Sequence, residues 1–456
     1  MSFVGVVGRR GRFLVVEPVF ERGPQLSLGG GMRVRGGELV LAEPVGQRAR
    51  VLADLGDPAR ARDVSAAVIY DRGRKRGFDP ELSAAARDAA ERAPDEFAER
   101  HDLTALDTFT VDPATARDFD DAVSASEEGD GIRLWIHIAD VAAHVRPGTR
   151  LDDEAERRAT SVYVPGAVEQ TEAHSLIEQL MICANERVAE QLERRGTPTL
   201  YRVHERPDAP RVAALIEKLA ALDLPTPPVP GTITPSVAAE LVAEASRLVS
   251  REAERRGHGR AAYTSLVLRA LKPAVYSPEN LGHAGLGSPA YCHFTSPIRR
   301  YPDLIAHRAL LSGLGAGEEA PERGQVREAG VWCSEREREA MAIERSADDV
   351  CAAFLLEREL FEAGPEATFE GEVTGLIDAG AFVAFGGALG DVYEGFLPAR
   401  RLGGRERYDL DETETAIVGR RTGRRVRLGD PVTVRVDGVE APRGRVDLMP
   451  APEVEA

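Results

Sequence analysis

Residues 108–123 read TFTVDPATARDFDDAV, and residues 132–141, which follow closely, read IRLWIHIADV. The first stretch places Asp112, Asp118, Asp120 and Asp121 within ten positions. Four like charges so close together destabilise a fold unless a cation neutralises them. Hard divalent cations take oxygen ligands, and Mg²⁺ commonly uses a few carboxylates with water and substrate phosphate. An acidic surface loop is the competing reading. An EF-hand loop is disfavoured, because its sixth position, counted from Asp112, is Arg117 and not glycine. In the second stretch Leu134, Ile136 and Ile138 alternate with Trp135 and His137, the period of a strand. A strand there favours a loop packed on a folded body.

Outward from this centre the two ends look alike. Apolar runs at 3–7, 12–19, 32–35, 38–42 and 48–52 are broken by glycines at 29–31 and 36–37. Five short strands in so few residues predict a small barrel of oligonucleotide-binding (OB) type. Runs at 368–374, 381–385, 392–397, 431–436 and 443–448 predict a second. Residues 76–103 read as a helical linker. Between linker and second barrel the period changes: Leu176, Leu180, Ala184, Val188 and Leu192 recur at i+4 on a helix, and 238–256 and 334–362 read likewise. The fold class is therefore α+β multidomain, a mixed α/β body flanked by two OB-type barrels. The expected boundaries are 1–75, 76–103, 104–362 and 366–450.

A second constellation lies at 290–304, AYCHFTSPIRRYPDL. Ser296-Pro297 has the form of an N-cap followed by a first-turn proline, which would aim backbone N–H groups at an anion. Arg299 and Arg300 would lie one turn in, where a guanidinium can grip phosphate bidentately. Ordinary capping with surface arginines is the alternative. An acidic metal-type cluster together with an arginine-bearing anion site points to phosphodiester chemistry.

These stretches, with IADVAAHVRPGTRLDDEAERRATSVYVPG at 138–166, YSPENLGH at 276–283 and SPAYCHFTSPIRRYPDLIAHRALL at 288–311, resemble the RNB family. That family contains ribonuclease II and ribonuclease R, Mg²⁺-dependent 3′→5′ exoribonucleases. Gly371-x-Val373, GAFV at 380–383 and GFLP at 395–398 resemble an S1 RNA-binding barrel, and the N-terminal barrel fits the cold-shock type. The resemblance implies one or two Mg²⁺ ions held by Asp112, Asp118, Asp120 and Asp121, with Asp120 taking a direct part in catalysis. It implies that Arg299 contacts the scissile phosphate, and that Tyr163 and Glu178 position the 3′-terminal nucleotides. Ser296 and Arg300 complete the expected RNA-binding set. The implied activity is hydrolysis of single-stranded RNA to nucleoside 5′-monophosphates. The runner-up is an RNA-binding protein with a degenerate RNB domain.

One departure is large. In the family a long stretch separates the Tyr-x-Pro-Gly segment from the helix bearing the glutamate. Here only residues 167–173 lie between Pro165-Gly166 and His174. Aromatic residues that stack on the last bases in the family have no counterpart, and such stacking is worth about 1–3 kcal/mol per base.

The net charge of −17 argues against a nucleic-acid partner on its face. Residues 1–80 nevertheless carry +5, leaving −22 on the remainder. Arginines cluster at 9, 10 and 12, at 72, 74 and 76 beside Lys75, and at 420, 421, 424, 425 and 427. Cys183, Cys292, Cys333 and Cys351 form no CxxC pair, which disfavours a zinc ribbon or a disulfide scaffold and fits a reducing cytoplasm. Each is expected to be a small buried hydrophobe. The histidines show no HxxxH spacing and read as structural, with His293 set apart by its place in the second constellation. No run is long and apolar enough for a membrane helix, and a monomer is expected.

Overall fold

The computed structural model describes residues 2–29, 32–74, 77–92, 100–113, 116–164, 172–316, 319–364, 366–386, 392–402 and 406–451. Among them no helix is long and apolar enough to cross a membrane. The chain divides into two compact units.

One unit comprises residues 1–76, 206–272 and 343–456. Its first part is a closed barrel of strands Phe3–Arg10, Phe13–Pro18, Leu26–Leu28, Leu39–Val45 and Arg48–Gly56. Val7, Val16, Val40, Ala42, Ala49 and Val51 fill it. Gly5 permits the first two strands to close: a Cβ there would lie 2.4 Å from the Val16 side chain and 2.7 Å from the Glu17 carbonyl oxygen. The third strand is Leu26–Leu28, not 32–35. The Arg35 amide is spent on the Glu38 carboxylate at 2.7 Å, which makes the latter segment a turn into the fourth strand. The helix Ala61–Asp71 buries Val64 and Ala67 against Val4, Val19 and Leu39.

A second closed barrel is built from Thr368–Ile377, Gly380–Gly386, Val392–Pro398, Pro431–Glu440 and Arg445–Pro450. Phe369, Phe385 and Tyr393 lie in its core, whereas Phe382 and Phe396 are half-buried, with ring centroids 5.3 Å apart. A small sheet of Tyr408–Leu410, Ala416–Gly419 and Arg425–Arg427 is inserted between its third and fourth strands. Helices Ala209–Ala221, Pro235–Arg256 and Arg260–Ala270 share this barrel's apolar cluster. Glu372, on the barrel's first strand, accepts the amides of Gly259, Ala261 and Ala262 at the start of the last helix. A carboxylate at that end satisfies orphan donors and complements the helix dipole. Segment 206–272 thus packs with the barrels, although the sequence reading groups it with the body.

The other unit comprises residues 77–205 and 273–342. A three-stranded antiparallel sheet, Thr108–Phe109, Asp121–Glu128 and Gly131–Ile138, carries the aspartate segment at its edge. Helices Arg150–Arg158, Glu172–Arg195 and Tyr301–Leu314 accompany it, with the first part of the long helix Arg323–Ala363. Leu200, Tyr276, Tyr301, Leu304, Ile305, Val326 and Cys333 make one apolar cluster. Ala189, Leu192, Tyr201, Val203, Cys292, Ala306 and Ala309 make another. Cys292 and Cys333 are buried as expected, whereas Cys183 is exposed and Cys351 half-buried.

A buried ion pair ties the helix Arg150–Arg158 to Tyr301–Leu314. Asp152 Oδ1 accepts Arg308 Nη2 at 2.9 Å and the Tyr301 hydroxyl at 3.1 Å, and its Oδ2 accepts the Gly148 amide at 2.9 Å. Removing one partner strands the other charge inside, which costs about 3–5 kcal/mol. Asp152→Ala should therefore lower the unfolding free energy by that order, read as a fall in the urea midpoint, with Asp152→Asn milder. An unchanged midpoint would show that the pair contributes nothing net.

Candidate functional site

The motif at 290–304 departs from the expected geometry at its centre. Ser296 does not cap a helix. Residues 297–299 form a turn, and the helix begins at Tyr301 with Arg300 as N-cap. The backbone explains the delay. Arg300 is extended (φ −134°, ψ 123°) and bridges Thr160, the Ser161 amide donates to the Arg299 carbonyl, and the Tyr301 amide donates to the Ala159 carbonyl. Residues 299–301 are therefore held straight by a neighbouring segment until Pro302, in the first helical turn, permits the helix to start.

Within the turn, the Ser296 carbonyl accepts the amides of Arg299 at 3.3 Å and Arg300 at 3.1 Å. The remaining amide, that of Ile298, donates to Asp120 Oδ1 at 2.9 Å. Arg299 Nε lies 3.5 Å from Asp120 Oδ2. Arg299 keeps 45% of its side chain exposed, while that of Asp120 retains 7%. Asp120 is itself fixed by the sheet: its carbonyl accepts the Ala139 amide, and Asp121 beside it pairs with Ile138. The hairpin thus delivers one buried carboxylate to the turn, and the turn presents one half-exposed guanidinium.

Burial raises the Asp120 carboxyl from 3.8 to about 6, against the lowering effects of the Ile298 amide and the Arg299 charge. Asp121 is also raised, first by burial and then by the charge of Asp112, with Arg299 opposing. Asp112 and Asp121 thus form one interacting pair. Asp112 and Asp118 are exposed. Among the described residues no three His, Cys, Asp or Glu side chains converge as a group able to hold a metal ion. The four aspartates lie on one segment without forming a closed cage.

The other expected residues distribute as follows. Tyr163 is 52% exposed, and Glu178 lies on the exposed face of the helix Glu172–Arg195. The shortened connection falls, as far as residue 171, outside the described residues. Ser296 and Arg300, expected to face phosphate, turn inward instead. Ser296 is buried, its amide donating to Asp303 Oδ1 at 2.8 Å and its hydroxyl accepting Arg299 Nη2 at 3.0 Å. Arg300 Nη2 donates to the same Asp303 oxygen at 2.8 Å. An arginine whose charge is met internally supports the turn and is not a free phosphate clamp. His293 is likewise internal: its Nδ1 lies 2.8 Å from the Tyr276 hydroxyl, and burial lowers its pKa well below the usual value.

Two supporting residues escape the sequence reading. Asp303 is the third residue of the helix, three positions after the N-cap Arg300. Asn185 accepts the Phe294 amide at 2.8 Å and donates to the Tyr291 hydroxyl at 3.0 Å, pinning the motif to the helix that carries Glu178. Only the helical register of Asn185 relative to Glu178 could have signalled it.

Because burial raises the folded carboxyls above their unfolded values, folding takes up protons between about pH 4 and 6. The stabilising contribution is present below that window and is lost as pH rises through about 6. Asp120→Asn should therefore stabilise the fold at pH 8 by an amount on the order of 2 kcal/mol, with the gain vanishing towards pH 4. Thermal unfolding of both proteins across that range checks it; a gain independent of pH would contradict the raised carboxyl.

Comparison with known protein families matches residues 100–170 and 167–315 to the RNB domain and residues 362–449 to the S1 RNA binding domain. The two RNB segments meet at 167–170, where the sequence is short. Ribonuclease R of Aquifex aeolicus is 30% identical, covering 78% of this chain and 65% of its own length. The alignment runs over 478 positions, more than the 456 residues of the whole chain, so that relative carries a substantial stretch which this chain lacks. Ribonuclease R of Escherichia coli is 28% identical over 78% of this chain and 58% of its own length. The chain thus spans less than two thirds of either relative. Among solved structures, the apo form of Mycoplasma genitalium RNase R superposes with a TM-score of 0.80 at 20% identity, covering 99% of this chain and 89% of that one.

Proposed function

We propose, from the premise that this chain belongs to the RNB family, that it is an exoribonuclease which hydrolyses single-stranded RNA from the 3′ end to nucleoside 5′-monophosphates. The observation that carries this reading is the meeting of Asp120 with Ile298 and Arg299. It joins the acidic segment to the arginine turn at one point, as phosphodiester chemistry requires.

The carboxylates suit Mg²⁺ in chemistry: they are hard oxygen donors, and the charge of Asp112 is among the causes that raise the Asp121 carboxyl. Asp112, Asp118, Asp120 and Asp121 would hold one or two ions. When bound, Mg²⁺ would lower the pKa of a water and stabilise charge on phosphate oxygens. Arg299, half-exposed beside Asp120, meets the charge that develops on the phosphate during in-line attack. Water adds to the terminal phosphorus, and the bond to the 3′ oxygen of the preceding nucleotide breaks. That oxygen takes a proton, and the last nucleotide leaves with its 5′ phosphate. Tyr163 and Glu178 position that nucleotide. The S1 domain and the N-terminal barrel bind single-stranded RNA by charge and by stacking. Four free cysteines support a cytoplasmic setting.

The second reading is an RNA-binding protein without catalysis. The open arrangement of the aspartates and the shortened middle favour it. A time course on 5′-labelled single-stranded RNA with Mg²⁺ separates the two. Stepwise shortening with release of mononucleotides supports the nuclease, and Asp120→Asn or Arg299→Ala should slow it on the order of 10²–10³-fold. Binding without shortening, or shortening unchanged in Asp120→Asn, would sink it.

A further inference from the structure

We propose that Asp303 is a positioning residue for this reaction: it sets the turn that holds Arg299 against Asp120. The inference rests on the exoribonuclease reading above.

Asp303 lies in the first turn of the helix Tyr301–Leu314 and is fully buried. Its Oδ1 accepts both the Ser296 amide and Arg300 Nη2, each at 2.8 Å. Its Oδ2 makes no hydrogen bond to any described residue. Both hydrogen bonds that this carboxylate accepts therefore come from the residues that open and close the 296–300 turn. A buried carboxylate held in this way is costly unless paired, and here it is met by a guanidinium, an amide and the positive end of a helix.

The effect on the reacting groups passes through two links. Ser296, fixed by its amide to Asp303, places its hydroxyl 3.0 Å from Arg299 Nη2. The same residue's carbonyl closes the turn from which Ile298 donates to Asp120. One anchor thus fixes the Arg299 head group at one end and the backbone donor to Asp120 at the other. The Arg300 charge pairs with the anchor, which keeps the two arginines in different roles: one supports, one faces substrate. A shift of about 1 Å in such a constellation can cost on the order of 10²-fold in rate.

The test uses the full chain with 5′-labelled single-stranded RNA and compares wild type, Asp303→Asn, Arg299→Ala and the double variant. Asp303→Asn should lower kcat about 10–100-fold while KM stays within about threefold. The double variant should be slower than Arg299→Ala alone by much less than the full Asp303→Asn loss, because the link through Arg299 is already removed and only the Ile298 link to Asp120 remains. An unchanged kcat in Asp303→Asn, or losses that multiply in the double variant, would overturn the inference and leave the nuclease standing. A wild-type chain that releases no mononucleotide would overturn the nuclease reading and the role of Asp303 with it. Should Asp303→Asn not fold, Ser296→Ala takes its place. It keeps the amide bond to Asp303 and removes the hydroxyl from Arg299, and its loss must vanish in the Arg299→Ala background.

Discussion

One carboxylate joins two segments 178 residues apart in the chain: Asp120 Oδ1 receives the Ile298 amide, and Arg299 stands beside its other oxygen. A carboxylate this buried is held ionised at neutral pH only by what faces it. An amide and a guanidinium offset part of the burial and leave a group that still favours a proton up to about pH 6. The hairpin that begins at Asp121 and the helix that begins at Tyr301 must both start where they do for that contact to exist. The surrounding ties, Asp152 with Arg308, Asn185 with Phe294 and Asp303 with Ser296, converge on keeping those two ends in place. A destabilised carboxylate held in place by several stabilising polar contacts is the usual relation between a site and its scaffold.

The site was legible where chemistry alone dictates residue type. Four aspartates in ten positions, and arginines behind a serine and proline, are unusual enough to be read directly. What could not be read was direction. Arg299 and Arg300 are adjacent and identical in type, yet one is half-exposed beside Asp120 and the other is paired inward with Asp303. That split comes from the extended conformation at Arg300, imposed by pairing with Thr160. The cap reading of Ser296-Pro297 failed for the same reason. Local capping preference was overruled by a strand-like contact from a remote segment, which sequence spacing does not encode.

The fold shows the same division. All five strands of the second barrel are where apolar alternation places them, because each buries alternate residues in one core. The first barrel's third strand was misplaced because it is only three residues long and pairs in parallel with the fifth, leaving too little periodicity to detect. The association of 206–272 with the barrels was invisible for a different cause. Its helices have the apolar spacing of any packed helix, and their partner is chosen by particular contacts such as Glu372 at the start of Arg260–Ala270. Periodicity reports that a face is buried and not against what.

Charge is where the sequence sum misleads most. The arginine cluster near the C-terminus adds five positive charges to the sum, but Arg420 is paired with Asp409, Arg427 with Asp223, and Arg424 donates to the Leu402 carbonyl. Arg420 and Arg427 are thus ion-paired within their own unit, and exposed pairs of this kind add little field beyond a Debye length. On the first barrel, Arg9, Arg10 and Arg12 are exposed, and the Arg12 guanidinium lies 5.3 Å from the centroid of the exposed Phe13 ring. A cation over an accessible ring offers both attraction for a backbone phosphate and a flat surface for a base. Net charge, whether −17 for the chain or summed by segment, does not distinguish an exposed arginine beside an open ring from one that is already ion-paired.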